Sequence, residues 1–328
     1  MSKVAPEIIG EKCSFCGACI SVCPLKCLEV GDDYPIVNSE KCIECGLCSR
    51  VCPIININFF KEEIPVKEYY TARTLLPEVA ERAQDGGIVT TILLSLLEDN
   101  YINSAVVAAV SSAEHLKPIP KVIRSKEELL HSAGSKYSSS PNLAELSKIT
   151  MKDSVAVVGV PCQMRALTLI EKIGLKKIAK PLKVKIGLFC MENYRYKDYI
   201  EGVLKSLMNV NPRDVVKANI KAGKFILYLR DGSKVKKSIH ELKPYVRLSC
   251  NLCPDLTAEY ADISIGGIGS ERGWSTVLIR TERGYEAFKR ALDKGYIEAK
   301  ELPEKGIKLI NKLANMKRSN ALKKLSGK

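Results

Sequence analysis

The sequence predicts two parts of different class, α+β then α/β: a small cysteine-rich module followed by a larger domain. Three observations carry this. Eight cysteines fall into two copies of one phrase within residues 13–53. From residue 154 onward, apolar runs of strand length alternate with segments of helical length, the order produced by buried parallel strands with crossover helices. The chain has 328 residues, so the module at its start leaves ample length for a second core.

The phrase reads Cys13-Ser-Phe-Cys16-Gly-Ala-Cys19, then Cys23-Pro24. It recurs 29 positions later (42 minus 13) as Cys42-Ile-Glu-Cys45-Gly-Leu-Cys48, then Cys52-Pro53. Both copies fit C-x2-C-x2-C-x3-C-P, the bacterial-type 2x4Fe-4S ferredoxin run, in which three thiolates of each run hold one cubane and the fourth crosses to the other. The reading assigns Cys13, Cys16, Cys19 and Cys52 to one 4Fe-4S cluster and Cys42, Cys45, Cys48 and Cys23 to the second. Soft thiolates suit iron and sulfide. Gly17 and Gly46 give each loop its backbone freedom, and Pro24 and Pro53 fix φ where the chain leaves each run. Zinc ribbons separate two cysteine pairs by a long spacer, and a disulfide framework expects a secretory signal, which is not seen before these thiols. Cys27 falls outside both runs and reads as a small buried apolar side chain.

Domain boundaries follow from changes of character: a two-cluster module over 1–60, a linker over 61–83, the α/β domain over 84–300 and a basic C-terminal helix over 301–328. At Gln84-Asp-Gly-Gly87 a glycine turn feeds an apolar run of helical length that ends at Asn100. Unpaired N–H groups and a positive dipole end suit a phosphate there, although a plain turn is the commoner use of such a sequence. A strand over Ser104–Val110 and a shorter one over 120–123 come next. A helix over 125–131 has Ser125 as N-cap and Glu128 at the capping-box position. Gly134-Ser135-Lys136-Tyr137-Ser138 and the serines after it read as a loop or as a cradle of donors for an anionic cofactor. Beyond lie a strand over 155–160, a helix over 162–172, a strand over 184–189 and a helix over 197–207. Strands over 225–229 and 234–239 flank Asp231-Gly232, a hairpin signal. Strands over 263–269 and 275–280, then helices over 282–292 and Glu304–Leu325, complete the chain.

Lys plus Arg exceed Asp plus Glu by 51 to 37, a net +14. Such a balance attracts anionic partners in general, but the basic residues are scattered and no nucleic-acid-binding motif or aromatic stacking platform accompanies them. Nucleic acid is therefore not expected. No apolar run approaches the ~20 residues of a bilayer span, and free-thiol usage points to a reducing compartment, so a cytoplasmic protein is expected. Peripheral attachment to the cytoplasmic face of a membrane is compatible with this. His115, His131 and His240 are too dispersed to form a nucleophilic constellation, and no catalytic residue is assigned.

Four further cysteines end strands or loops: Cys162 in Gly-Val-Pro-Cys-Gln, Cys190 in Gly-Leu-Phe-Cys, and Cys250 with Cys253 in Cys-Asn-Leu-Cys-Pro-Asp255. Cys162 and Cys190 follow the carboxyl ends of apolar strands, where open α/β sheets gather ligands. Four thiolates suit a third cubane, a structural zinc ion or a redox pair plus inert thiols.

With Gln84–Gly87 and Thr90, Gly134 to Ser138, the two strand-end cysteine motifs, Cys250-x2-Cys253 with Asp255, Ala261-Asp-Ile-Ser-Ile-Gly266 and Gly273-Trp-Ser-Thr276 in this order, the chain resembles the beta subunits of coenzyme F420 hydrogenases and dehydrogenases. These archaeal-type proteins exchange hydride with a deazaflavin. The resemblance implies an α/β flavin-binding domain with a bound FAD, coenzyme F420 as substrate, and three 4Fe-4S clusters in all. By the same resemblance Cys162, Cys190, Cys250 and Cys253 are the third cluster's ligands, and Gly86, Gly87, Thr90, Gly134, Ser135, Lys136, Tyr137 and Ser138 form the FAD pocket. A flavin is needed because a deazaflavin passes electrons in pairs and a cubane passes them singly. The resemblance further implies a redox partner: a hydrogenase, a formate dehydrogenase, a reductase or a membrane F420H2 dehydrogenase. Two other readings remain at this stage, a ferredoxin-linked flavin and iron–sulfur reductase acting on another substrate, and a non-catalytic electron-transfer subunit. The basic last helix, with Lys308, Lys312, Lys317, Arg318, Lys323 and Lys324, is expected to face solvent or an acidic partner.

Overall fold

The computed structural model describes residues 3–60 and 64–326. In the first part, short helices Ala18–Val22 and Leu47–Arg50 lie within the two cysteine runs and carry Cys19 and Cys48. Strands β1 (Leu28–Val30) and β2 (Pro35–Val37) pair antiparallel between them. Gly17 and Gly46 stand before these helices at φ of 86° and 72°, a left-handed conformation that glycine adopts without steric cost.

The second part begins earlier than the sequence suggests. Residues expected to be linker contain β3 (Glu68–Thr74), an inner strand of the main sheet, and a short helix, Pro77–Ala80; Lys61, Glu62 and Glu63 lie outside the described residues. The charged and aromatic residues of β3 hid its strand character because only one end of it is buried. The remaining strands are β4 (Ser104–Val110), β5 (Pro118–Ile123), β6 (Val155–Gly159), β7 (Leu182–Leu188), β8 (Val215–Lys221), β9 (Lys224–Leu229), β10 (Lys234–Ser238), β11 (Ile263–Gly266), β12 (Ser275–Ile279) and β13 (Ile297–Glu301). Eight of them form one sheet in the order β13-β3-β12-β11-β7-β6-β4-β5. Its centre, β4, β6, β7 and β11, is parallel, and the flanks are antiparallel. The parallel centre is the α/β core expected from the continuous apolar runs: all five residues of β6 are buried, as a strand covered on both faces requires.

One face of the sheet is covered by helices Ile88–Glu98 and Glu282–Asp293, with Ile92, Leu96, Ile186, Val277 and Phe288 in its core. The other face carries helix Pro161–Lys172 and the turn of 3-10 helix Asn142–Lys148. Its core, around Val157, Leu143 and Leu167, also contains Ala18, Val22 and Val51 of the N-terminal module. Module and domain therefore share a core. A Cβ on Gly17 would come within 2.5 Å of Pro141 O and Ala144 N, and Leu143 N–H donates to Cys16 O.

A smaller antiparallel sheet, β10-β9-β8, has its own core with Tyr199, Val203 and Leu204 of helix Asp198–Leu207 and Phe225 of β9. The Asp231-Gly232 hairpin joins β9 and β10 as expected. Strand β8 is mostly exposed; its alternation of Val216, Ala218 and Ile220 with Lys217, Asn219 and Lys221 is a strand pattern, but the apolar set faces outward, with Val216 and Ile220 exposed.

Arg247 fastens the module. It is 3% exposed, its Nη2 donates to Cys13 O (3.1 Å) and Asp33 O (2.8 Å), and its guanidinium lies over Phe15 and Tyr34. Arg247→Met should leave those buried carbonyls unpaired at a cost of about 1–3 kcal/mol. Amide hydrogen exchange over 13–19 and 31–37 is then expected to quicken roughly tenfold or more; unchanged exchange there would contradict the docking role.

Candidate functional site

Strands β6 and β7 are parallel neighbours, so the residues that follow them emerge at one edge. Cys162 enters the helix after β6, Cys190 follows β7, and Cys190 N–H donates to Leu256 O, which draws the 250–256 loop to the same edge. All four thiols line one cavity, with Ser140 from the serine loop, Ser14 and Ile54 from the module, and Arg165, Arg247 and Lys317. Burial pushes the Cys162, Cys190 and Cys250 thiols well above their ordinary range, and neighbouring thiols add to the rise.

Three cations close on this cavity. Arg165, three residues after Cys162 on helix Pro161–Lys172, is fully buried and donates from Nη2 to Cys253 Sγ at 3.2 Å. Lys317 corrects the reading of the last helix as a solvated or docking face. It is 6% exposed and donates to Cys190 O and Asp255 O. Burial alone would lower its pKa, but Cys253, Cys190, Cys250 and Asp255 outweigh that and hold it raised. Arg318 likewise turns inward to Glu259 at 2.6 Å, and Lys308 pairs with Glu304 along the helix. Of the six named cations, Lys308, Lys312, Lys323 and Lys324 keep the solvent exposure expected of them. A 22-residue helix with a basic composition looks like a surface from sequence; the thiol cavity beneath it is what selects two of its charges.

After the larger effect of burial, Cys19, Cys52 and Cys13 raise the Cys16 thiol, while Cys48 joins Cys13 in raising Cys19 and Cys52. Cys23, Cys42, Cys45 and Cys48 line a second cavity. The first set is the inner one: Cys16 adds to the rise at Cys162. In the outer set Cys45 is exposed. Cys27 is buried, as expected, yet not remote: its Sγ lies 3.3 Å from Cys23 Sγ and lines the outer cavity as a fifth thiol. Among the described residues no three His, Cys, Asp or Glu side chains meet tightly enough for a single metal ion; the thiols instead surround spaces of multi-atom size.

The glycine turn and the serine loop also come together. Tyr137 feels the charge of Asp85 and packs edge-on against Phe225 at 5.2 Å. Gln84 Nε2 donates to Ala218 O and Lys217 Nζ to Ala83 O, so β8 lies across the turn. Nothing in the sequence of that strand marked it as part of the site. Gly87, at φ 71°, precedes helix Ile88–Glu98 with no side-chain cap, and Thr90 is buried in its first turn. Gly86 works otherwise than expected: its N–H donates to Ser275 Oγ, and a Cβ there would meet Ala72 O at 2.4 Å and Ser275 N at 2.6 Å. Its contribution is close packing, not a donor. Lys136 folds back onto the carbonyls of Ser132, Ala133 and Gly134, and burial lowers its pKa to about 8. Ser138 Oγ and Ser140 Oγ are buried without a partner. Ser135 extends the same loop. None of the three histidines joins these groups: His115 reaches Val215 O and His131 Nδ1 reaches Glu127 O.

Family models match over this architecture: "Coenzyme F420 hydrogenase/dehydrogenase, beta subunit N-term" over residues 69–147 and its "C terminus" counterpart over 152–305. The chain belongs to this family. A 4Fe-4S dicluster domain model matches residues 5–53. One component of the F(420)H(2) dehydrogenase of Methanosarcina mazei is 35% identical, covering 96% of this chain and 92% of that protein. The beta subunit of the coenzyme F420 hydrogenase of Methanothermobacter thermautotrophicus is 34% identical over 80% of this chain and 95% of its own. The coenzyme F420-dependent sulfite reductase of Methanocaldococcus jannaschii is 33% identical over 93% of this chain, which spans 48% of that protein. Among solved structures, a chain of the F420-reducing [NiFe] hydrogenase complex from Methanosarcina barkeri superposes with a TM-score of 0.76 at 32% identity, over 80% of this chain and 92% of that one. The family's relatives are thus subunits or fused parts of larger redox enzymes, and no helix among the described residues is long and apolar enough to cross a membrane.

The two glycines that precede the domain's and module's helices should respond differently to a methyl group. Gly46→Ala meets nothing nearer than 3.7 Å and pays only for its positive φ, about 1–2 kcal/mol. Gly86→Ala collides with two backbone atoms and should cost about 3 kcal/mol. Chemical unfolding midpoints of the two variants check the order.

Proposed function

We propose that this chain is a coenzyme F420 oxidoreductase subunit, exchanging hydride between the reduced coenzyme and FAD and passing electrons singly through three 4Fe-4S clusters to a partner. The observation that carries the proposal is the course of the serine loop. It starts at Gly134, behind the glycine turn, and ends with Ser139 and Ser140 in the wall of the four-thiol cavity. One short segment thus sets the candidate flavin groups beside the candidate third cluster, and the module reaches the cavity from the other side through Ser14 and Ile54, with Cys16 near enough to raise the Cys162 thiol. The relatives' names, which pair coenzyme F420 with hydrogenase, dehydrogenase and sulfite reductase, supply the substrate class.

The residues present fit the groups implied. Four thiols around a cavity with three inward cations suit an anionic cluster, since buried charge needs a counter-charge; Cys162, Cys190, Cys250 and Cys253 would hold it. Gly87, Thr90 and the helix N-terminus behind them, with Gly134, Ser135, Tyr137 and Ser138, would hold FAD, and Gly86 would let the turn pack closely enough to present them. Bound FAD would supply the conversion between paired and single electrons. The protein's own contribution is positional. With Cys253 buried and Cys162, Cys190 and Cys250 half-buried, water's access to the inner sites is restricted, whereas exposed Cys45 gives the outer set access to a partner. The flanking strand β8 contributes Lys217 and Lys221, whose charges face Asp85.

Anaerobically purified protein is expected to contain about twelve iron atoms per chain and one flavin; about eight would remove the third cluster from the proposal. Cys16→Ala should leave reduction of the flavin by the reduced coenzyme intact while stopping delivery to any acceptor. Loss of flavin reduction in that variant would overturn the order of carriers. The chain alone should turn over its physiological acceptor far more slowly than when co-purified with its partner, followed by the coenzyme's absorbance.

A further inference from the structure

Among the cations of the four-thiol cavity, Arg165 is unlike the other two. Arg247 and Lys317 donate to backbone carbonyls, of Cys13 and Asp33 and of Cys190 and Asp255 respectively, and so fasten the module and the last helix. Arg165 donates to sulfur: Nη2 lies 3.2 Å from Cys253 Sγ. Its Nε and Nη1 have no hydrogen-bond partner, no ion pair to a carboxylate is formed by it among the described residues, and its exposure is 0%. One side of the guanidinium is covered by Phe60, at 5.5 Å from the ring centroid. A cation so placed is costly to bury unless an anion faces it, and the cavity that it lines is ringed by thiols.

We propose that Arg165 sets the reduction potential of the site formed by Cys162, Cys190, Cys250 and Cys253, raising it so that this site accepts electrons readily. The inference rests on the proposed third cluster. With four thiolates a 4Fe-4S cluster is a dianion when oxidised and a trianion after taking one electron; the electron comes from the reduced flavin, one iron-centred hole is filled, and no bond is made or broken. A fixed positive charge and an N–H···S bond both favour the more negative state, and net charge and hydrogen bonds to sulfur are the established levers on cluster potential. Arg165 is a positioning residue in this scheme. It transfers nothing and remains protonated throughout.

The test uses the full chain, purified anaerobically with its clusters, and an EPR-monitored redox titration. Cys250→Ala identifies which midpoint belongs to this site by removing it. Arg165→Met, similar in bulk but uncharged, should lower that midpoint by at least about 59 mV, a tenfold shift in the one-electron equilibrium, while the other two midpoints and an iron content of about twelve are kept. Arg165→Lys, which keeps the charge, should recover most of the shift. A midpoint unchanged in Arg165→Met with iron retained would overturn the inference and leave the third cluster standing. Loss of about four iron atoms in both variants would also overturn it, by making Arg165 a structural support. Wild-type protein with about eight iron atoms would instead overturn the cluster on which the inference rests.

Discussion

The docking of the cysteine-rich module onto the sheet is the contact on which the rest depends. It is made at Gly17, where a missing side chain lets the module's backbone reach Pro141 and Ala144, and at Arg247, which ties Cys13 and Asp33 to the far end of the chain. Because Ala18, Val22 and Val51 share a core with Leu143 and Leu167, the module cannot drift without opening apolar surface that stabilises the whole fold. Close, fixed approach of the inner ferredoxin thiols to the domain's own thiols follows from this packing.

The same constraint explains why so many charged side chains are buried where four thiols meet. A domain edge that gathers thiols from the ends of two parallel strands and a loop, with the neighbouring module against it, takes them largely out of water. Burial disfavours the thiolate, so cations must accompany the thiols if these are to be ionised. Arg165, Arg247 and Lys317 come from three separate segments of the chain, and each arrives on an element that has another structural task. The last helix is the clearest case: its exposed flank is ordinary, while Lys317 and Arg318 reach inward to Cys190, Asp255 and Glu259.

Within the family to which the chain belongs, the N-terminal dicluster domain extends the domain's own set of thiols to the surface. The outer cavity, with Cys45 exposed and Cys27 as an additional thiol 3.3 Å from Cys23, is the end of the module that a neighbouring redox protein can approach. The relatives' names place them in hydrogenase, dehydrogenase and sulfite reductase enzymes, and the outermost thiol of this chain, Cys45, lies at its surface.

The sequence by itself determined what is encoded locally. The two cysteine runs are legible because one short phrase with fixed spacings around a glycine occurs twice. The apolar runs of β6 and β7 are legible because buried parallel strands have little other vocabulary, and the Asp231-Gly232 hairpin because its turn dictates its residues. Tertiary structure alone decided the rest. Strand β3 carries charged residues and no clean alternation, and the apolar set of β8, Val216 and Ile220, is exposed, so only their neighbours place these strands in the fold. Gly86 reads as a phosphate turn but is required by the nearness of Ala72 and Ser275, more than a dozen residues before it and nearly two hundred after. Lys317 and Arg165 look like surface charge and helix filler. Their roles depend on which sulfurs the fold brings beside them, and that juxtaposition is a property of the assembled chain, not of any window within it.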